Sequence, residues 1–307
     1  MIQKVTIAVL LPCHNEGVSI GETVEAFRGA LPEAAIYVYD NNSTDNTVGI
    51  ARAAGAIVRE ETQQGKGAVV RRMFRDIQAD FYIMADGDNT YDAAIAPRMI
   101  ELARQGPFDL VNCIRRETGQ EAYRGGHRLG NRLITGAVRW IFGKRIEDML
   151  SGYKVFSRRF VKSFPVLATG FDIETEVAVH ALELALPIAH IEGDYRPRAE
   201  GSVSKLRTYR DGWRILRLIL RLLRHERPLF FFGSFSIFAF ILAIALFIPV
   251  FSIYLQTGQV PRLPTALLAT GIVLVGTLSL TTGVVLDTVT RGRREMRLLA
   301  YLASNTP

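Results

Sequence analysis

Cysteine is scarce in this chain, and the histidine patterns of metal sites are missing. The two cysteines, Cys13 and Cys113, have no metal-ligand spacing to any of the five histidines. No two histidines stand four apart as a helical ligand pair, which argues against zinc. Each thiol lies in or beside an apolar run, the pattern of buried thiols in a reducing compartment. Aromatics are not interleaved with the arginines, so the formal charge of +7 does not describe a nucleic-acid platform. The arginines gather beside apolar spans instead, pointing to an anionic membrane surface. A signal-peptide core is also missing: Val5 to Leu11 is closed by Pro12, too short for such a core with a cleavage site. The N-terminus is therefore expected in the cytosol. Charge itself is absent from Leu229 to Val260 and again from Leu263 to Leu286.

What is present is a repeated alternation. Val5 to Leu11, Ala35 to Tyr39, Ala56 to Arg59 and Phe81 to Ala85 are apolar enough for strands. Residues 17–29, Val48 to Ala54 and Ala68 to Gln78 carry helical spacing between them, with Asp45 or Thr44 as N-cap of the second helix. Strand then helix, repeated, predicts a mostly parallel sheet with helices on its faces. Polar clusters follow three of the strands, and such clusters line the crevice at the C-terminal edge where open α/β sheets bind ligands. Asp86-Gly87-Asp88 ends the fourth strand. Two carboxylates at this spacing suit a hydrated divalent cation that shares positions with substrate phosphates, Mg²⁺ or Mn²⁺; a turn built from Asp and Gly is the other reading. Gly65-Lys66-Gly67 is not a Walker loop, because Glu60 and Gly67 stand where Gly and Ser/Thr are needed. A helix N-terminus carrying Lys can face phosphate, or be a turn only.

Leu11-Pro12-Cys13-His14-Asn15-Glu16, the run Asp40 to Thr47, Gly65-Lys66-Gly67 and Asp86-Gly87-Asp88, in this order, resemble the nucleotide-sugar half of the family 2 glycosyltransferases. Asp148-Met149-Leu150-Ser151-Gly152-Tyr153-Lys154, the run Gly170 to Glu176, and Tyr195 to Leu206 are similar to the acceptor half of the polyprenyl-phosphate group, the dolichol-phosphate mannose synthase type. The resemblance covers residues 1–227. It implies that Pro12, Asn15, Glu16, Asp40 and Asn42 contact base and ribose, that Lys66 lies near the nucleotide, and that Asp86 and Asp88 serve metal and diphosphate. Asp148 is expected to orient the acceptor phosphate or act as a weak base. Lys154, Arg196, Arg198, Ser202 and Lys205 are the candidates for gripping that phosphate. Asn41 and Asn42 depart from the usual Asp and Gly, and Thr90 stands where mannose synthases of this group often carry Gln. Gly136 before Arg139-Trp140 replaces the Gln of the processive polysaccharide synthases, which disfavours that branch.

Residues 126–142 read as an amphipathic helix between the halves, and Asp172, Glu174 and Glu176 fall in a helix's first turns, where the dipole favours acids. Arginines at 210, 214, 217, 221 and 224 beside Trp213, Leu216, Leu220 and Leu223 form a basic amphipathic helix of the interfacial kind. Each uncharged run after it is long enough to span a bilayer of ~20 residues. The arginines on the outer flanks place both ends in the cytosol. The expectation is thus a Rossmann-like nucleotide-sugar-binding α/β domain over residues 1–206, an interfacial helix over 207–228, a two-helix transmembrane hairpin over 229–287 and a basic cytosolic tail over 288–307. Such a multi-pass cell-membrane enzyme would transfer a sugar from a UDP- or GDP-linked donor to polyprenyl phosphate by metal-assisted inverting displacement. A glycosyltransferase for another membrane lipid, or a membrane-anchored nucleotide-sugar-binding protein without turnover, is the alternative. No nucleic-acid partner is expected, and a homo-oligomer is compatible with the sequence.

Overall fold

The computed structural model describes residues 5–117, 136, 138–140, 146–167, 173–196, 217 and 219–304. The first four apolar stretches form β1 (Ile7–Cys13), β2 (Ala35–Asp40), β3 (Ile57–Glu60) and β4 (Phe81–Met84). Val9, Leu10 and Leu11 of β1 and Ile83 and Met84 of β4 are fully buried. Continuous apolar runs are what strands covered on both faces require. β3, at the sheet's edge, has no buried residue and carries Arg59 and Glu60, charges that discourage further pairing. The intervening helices are α1 (Ile20–Ala30), α2 (Thr47–Ala53) and α3 (Lys66–Asp76).

The second half supplies α4 (Ala96–Gln105), β5 (Leu110–Glu117), β6 (Lys154–Ser157), α5 (Arg158–Ser163), α6 (Ile173–Glu183) and β7 (Ile188–Tyr195). The seven strands pair in the order β3-β2-β1-β4-β6-β5-β7, and β6 alone runs against the rest. The mostly parallel α/β sheet expected from the sequence is therefore present. One face buries Val24 and Phe27 of α1, with Phe27 meeting the Tyr153 ring edge-on at 5.9 Å. Phe74 of α3, Phe156 of β6, Phe160 of α5 and Phe164 just after it form a second aromatic cluster.

α2 differs in its cap. Asn46 occupies the cap position without a side-chain bond, while the Asp45 carboxylate accepts from the Thr47 amide at 3.0 Å and the Gly17 amide at 2.9 Å. Asp45 thus satisfies a helix-start donor from one residue further out and ties the β1 loop to it. The 126–142 helix lies mostly outside the described residues, as does the basic helix before residue 217; residues 219–226 are helical.

A separate compact unit contains α7 (Pro228–Thr257) and most of α8 (Leu263–Ala303), both long and apolar enough to cross a membrane. They pack antiparallel through small residues: a Cβ on Gly276 would stand 3.2 Å from Ala239, one on Gly283 3.1 Å from Phe232, and Ser279 donates to the Phe232 carbonyl at 3.0 Å. Glycines let helix backbones approach closely where no water drives association. Residues 288–303, read from sequence as a tail, continue α8. From Met296 the helix end belongs to the sheet unit, where Tyr301 donates to Asp109 at 2.7 Å and Arg297 pairs with Glu183.

Candidate active site

β1 lies between β2 and β4, so the loops after these three parallel strands diverge around one crevice, the switch point where α/β sheets bind ligands. Because β6 is antiparallel, the segment entering it from residue 146 reaches the same edge. The motifs after β1, β2 and β4 and the segment entering β6 are delivered there by strand ends, and Lys66 and Glu174 come from the first turns of α3 and α6.

Besides Asp45, neutral polar side chains build the loops after β1 and β2. Asn15, at φ 55°, accepts from the Thr44 amide at 2.7 Å, and its own amide donates to Ser43 Oγ at 2.8 Å. The Glu16 amide donates to Thr47 Oγ1 at 2.9 Å. Asn41 donates to the Glu61 and Gln63 carbonyls at 2.8 and 2.9 Å and accepts from the Gly65 amide at 2.7 Å. A carboxylate could not donate to those carbonyls, which gives the departure from the usual Asp a structural reason. Asn42, at φ 61°, donates to the Thr62 carbonyl at 2.9 Å, so it holds the same loop in a left-handed conformation that asparagine tolerates. Pro12 is half-buried at the end of β1. Asp40 accepts from the Ser43 amide at 3.0 Å through one oxygen, while its Oδ1 is buried with no hydrogen-bond partner among the described residues. Such an acceptor is costly unless something supplies a donor.

Acids and one lysine make the centre. Lys66 opens α3 after Gly65 (φ 125°), and its ammonium stands 2.5 Å from both Asp86 Oδ1 and Glu174 Oε1. Burial alone would push the Lys66 pKa down, but the two carboxylates more than offset it and hold the ammonium charged. Asp88 is buried, and Thr90 donates to its Oδ1 from the hydroxyl at 2.6 Å and the amide at 3.3 Å. Thr90 therefore orients Asp88. Gly152 abuts Asp86 so closely that a Cβ there would lie 2.5 Å from Asp86 Oδ2. The Gly152 amide is in turn held by the Tyr91 hydroxyl at 2.7 Å. Two oxygen-bearing acids one residue apart make a hard donor set, suited to Mg²⁺ or Mn²⁺.

The acceptor side uses its charges internally. Asp148, at φ 41°, receives Arg115 Nε at 2.8 Å, Nη2 at 2.6 Å and the Arg115 amide at 3.0 Å. Burial would raise the Asp148 pKa, but the Arg115 guanidinium overrides it and keeps the carboxyl below the usual range. That makes Asp148 an anchored anion and a poor base. Arg115 also lies over the Tyr195 ring, 5.5 Å from its centre. Lys154, expected to grip phosphate, is instead fully buried and donates to the Met149 and Ser151 carbonyls, so it closes the turn beneath Gly152. Burial pushes its pKa down to about 8. Arg196 is exposed and stands 3.5 Å from Asp92. Arg198, Ser202, Lys205 and Asp172 lie outside the described residues.

Arg115, Tyr91 and the pairing of Glu174 with Lys66 were missed by the sequence reading. Arg115 had a visible signal, since Leu110 to Ile114 is an apolar run ending in charge like the strands before it.

Comparison with known proteins agrees with this arrangement. The model of the family described as Glycosyl transferase family 2 matches residues 8–163. Glycosyltransferase AglJ of Haloferax volcanii is 34% identical over 229 residues, 74% of this chain and 75% of that one. The dolichyl-phosphate hexose transferase of the same organism is 25% identical over 221 residues, 72% of this chain and 95% of its own. Among solved structures, glucosyl-3-phosphoglycerate synthase from Mycobacterium tuberculosis, in complex with Mn²⁺, UDP and glucosyl-3-phosphoglycerate, superposes with a TM-score of 0.59 at 24% identity, covering 72% of this chain and 79% of that one; this likeness bears on the fold. With the matched stretch running from β1 through α5, across the strand ends that carry Asp40, Lys66 and both acids of β4, the chain belongs to glycosyl transferase family 2.

Proposed function

We propose that this glycosyltransferase moves one sugar from a nucleotide diphosphate sugar to the phosphate of a polyprenyl phosphate at the cytosolic face of a membrane. The observation that carries the donor half is the pairing of Lys66 with Asp86, on the turn that also carries Asp88, together with an Asp40 Oδ1 that is unpartnered among the described residues. That oxygen suits an N–H of a nucleotide base, with Pro12, Asn15, Glu16 and Asn42 shaping the loop around base and ribose. Asp86 and Asp88 would hold the divalent cation, which when bound stabilises the charge of the leaving diphosphate. Lys66 lies within reach of the same charge. The acceptor phosphate is already an anion, so it needs orientation more than deprotonation. Its oxygen attacks the anomeric carbon as the bond to the diphosphate breaks, which inverts that centre. Asp148, fixed by Arg115, is assigned to orienting the acceptor side, together with Arg196, Arg198, Ser202 and Lys205.

The acceptor class is supported by the dolichyl-phosphate hexose transferase among the relatives and by α7 and α8, whose outward side chains include Ile237, Phe238, Ile241 and Leu278, each above 60% exposed. Exposed apolar surface on this scale seeks a partner, here lipid. In this reading the hairpin returns both ends to the cytosol, and the chain from Met296 rejoins the sheet unit. The test offers membranes containing the protein a panel of labelled UDP- and GDP-sugars with polyprenyl phosphate. Acid-labile label in the lipid phase is expected. Label in an acid-stable lipid would transfer the assignment to another membrane acceptor, and nucleotide binding without any transfer would remove the enzyme reading.

A further inference from the structure

We infer that Glu174 is a positioning residue that sets how strongly Lys66 competes for Asp86, and so couples the acceptor-side helix α6 to the donor-side acids. Its carboxylate is 7% exposed and sits in the first turn of α6, 108 residues along the chain from the lysine it touches. A buried carboxylate demands a partner. Lys66, 11% exposed, is shared equally, with 2.5 Å to Glu174 Oε1 and 2.5 Å to Asp86 Oδ1. Sharing matters because Asp86 has two claims on it in the proposed reaction, the ammonium of Lys66 and the divalent cation. While Glu174 draws on the ammonium, the Lys66–Asp86 pair is weakened and Asp86 is the easier ligand to recruit. Without Glu174 the whole charge of Lys66 falls on Asp86. Gly152 lies close against the other side of Asp86, where a Cβ would stand 2.5 Å from Asp86 Oδ2.

The inference rests on the reading of Asp86 and Asp88 as the metal acids. Its test is Mn²⁺ binding to the full-length protein in detergent, followed by loss of the free-ion electron paramagnetic resonance signal, with UDP and in a separate series with GDP. Wild type, Glu174→Gln, Glu174→Asp, Lys66→Met, the Lys66→Met/Glu174→Gln pair and Asp88→Asn are compared, each with a melting curve. Glu174→Gln should weaken Mn²⁺ binding about tenfold, in the range typical of coupling between sites. In the Lys66→Met background the same change should have no effect on Mn²⁺ affinity, the signature of an action through Lys66. If Glu174→Gln does not fold, Glu174→Asp, which keeps the charge but shortens the reach, should give a smaller loss in the same direction. Unchanged affinity in the folded variants, or an equal loss with and without Lys66, would overturn the inference while leaving the metal reading intact. Wild-type protein that binds no Mn²⁺, with Asp88→Asn indistinguishable from it, would overturn the metal reading and the inference with it.

Discussion

Both sides of the crevice bring polar residues to the strand ends, and they handle charge in opposite ways. On the donor side Asn15, Asn41, Asn42, Ser43 and Thr44 knit the loops together, and the acids Asp40 and Asp86 are left at the crevice. On the acceptor side the charged groups do the knitting: Arg115 and Asp148 are 11% and 10% exposed, and Lys154 is fully buried. A cation near a phosphate-handling motif is therefore no guide to what grips phosphate until its burial is known. Left-handed backbone is held by neutral amides at Asn15 and Asn42 and by an ion pair at Asp148.

Removing one partner of the buried acceptor-side pair should give the largest effect. Arg115→Ala strips the buried Asp148 carboxylate of its guanidinium partner and should destabilise the protein by about 3–5 kcal/mol in chemical denaturation. A loss below about 1 kcal/mol, the range of exposed pairs, would end the contrast between the two sides. The matching donor-side change is Asp88→Asn, which keeps the bonds from Thr90 and should leave the melting temperature nearly unchanged. Transfer should nonetheless fall about 10²- to 10³-fold, as when a site loses one stabilising group for developing charge. Retained transfer in chelator-treated Asp88→Asn protein would remove the metal role.

Gly152→Ala sharpens the comparison, because it acts on a donor-side acid from the acceptor side. The new Cβ would stand 2.5 Å from Asp86 Oδ2, and the flexible carboxylate must move. Stability should change little, while donor efficiency falls about tenfold to a hundredfold, the scale of an ångström-level misplacement. Donor kinetics equal to wild type would show that Asp86 tolerates another orientation.

The four parallel strands were legible because burial on both faces demands unbroken apolar runs, and Val9 to Leu11 and Ile83 to Met84 could hardly be anything else. Their ends shifted by a residue or two: β1 runs through Pro12 to Cys13, since Pro12 needs only to accept near a strand's end. β6 was read as motif and not as strand, being four residues long and opening on a lysine. That lysine is the main correction. Lys154 sits between Tyr153 and Val155, and nothing in spacing distinguishes a cation turned inward to cap carbonyls from one turned to solvent. The Lys66–Glu174 pair was hidden for another reason. Its members stand 108 residues apart, and no periodic pattern ties the first turn of α3 to that of α6.

Lys154→Met should have the smallest effect, and its pH dependence identifies what the lysine does. Burial lowers the pKa of Lys154 from 10.5 to about 8 in the folded protein. Below pH 8 the amine is charged whether folded or unfolded, so the full burial penalty is present there. Between pH 8 and 10.5 the folded protein releases a proton that the unfolded chain keeps, and stability rises with pH across that window. Methionine removes the penalty and the slope together, but it strips the Met149 and Ser151 carbonyls of their donor, at about 1–3 kcal/mol for buried groups. The two terms oppose each other, so denaturation at pH 7 should find the variant within about 1 kcal/mol of wild type, as for other buried charges replaced by apolar groups. At pH 9.5 the wild type should have gained on the variant, because other titrating groups are common to both proteins and cancel in the difference. A wild type that gains nothing on the variant between pH 8 and 10.5 would mean that folding does not lower the lysine's pKa, and would return Lys154 from the floor of the turn to the charged lining of the acceptor side.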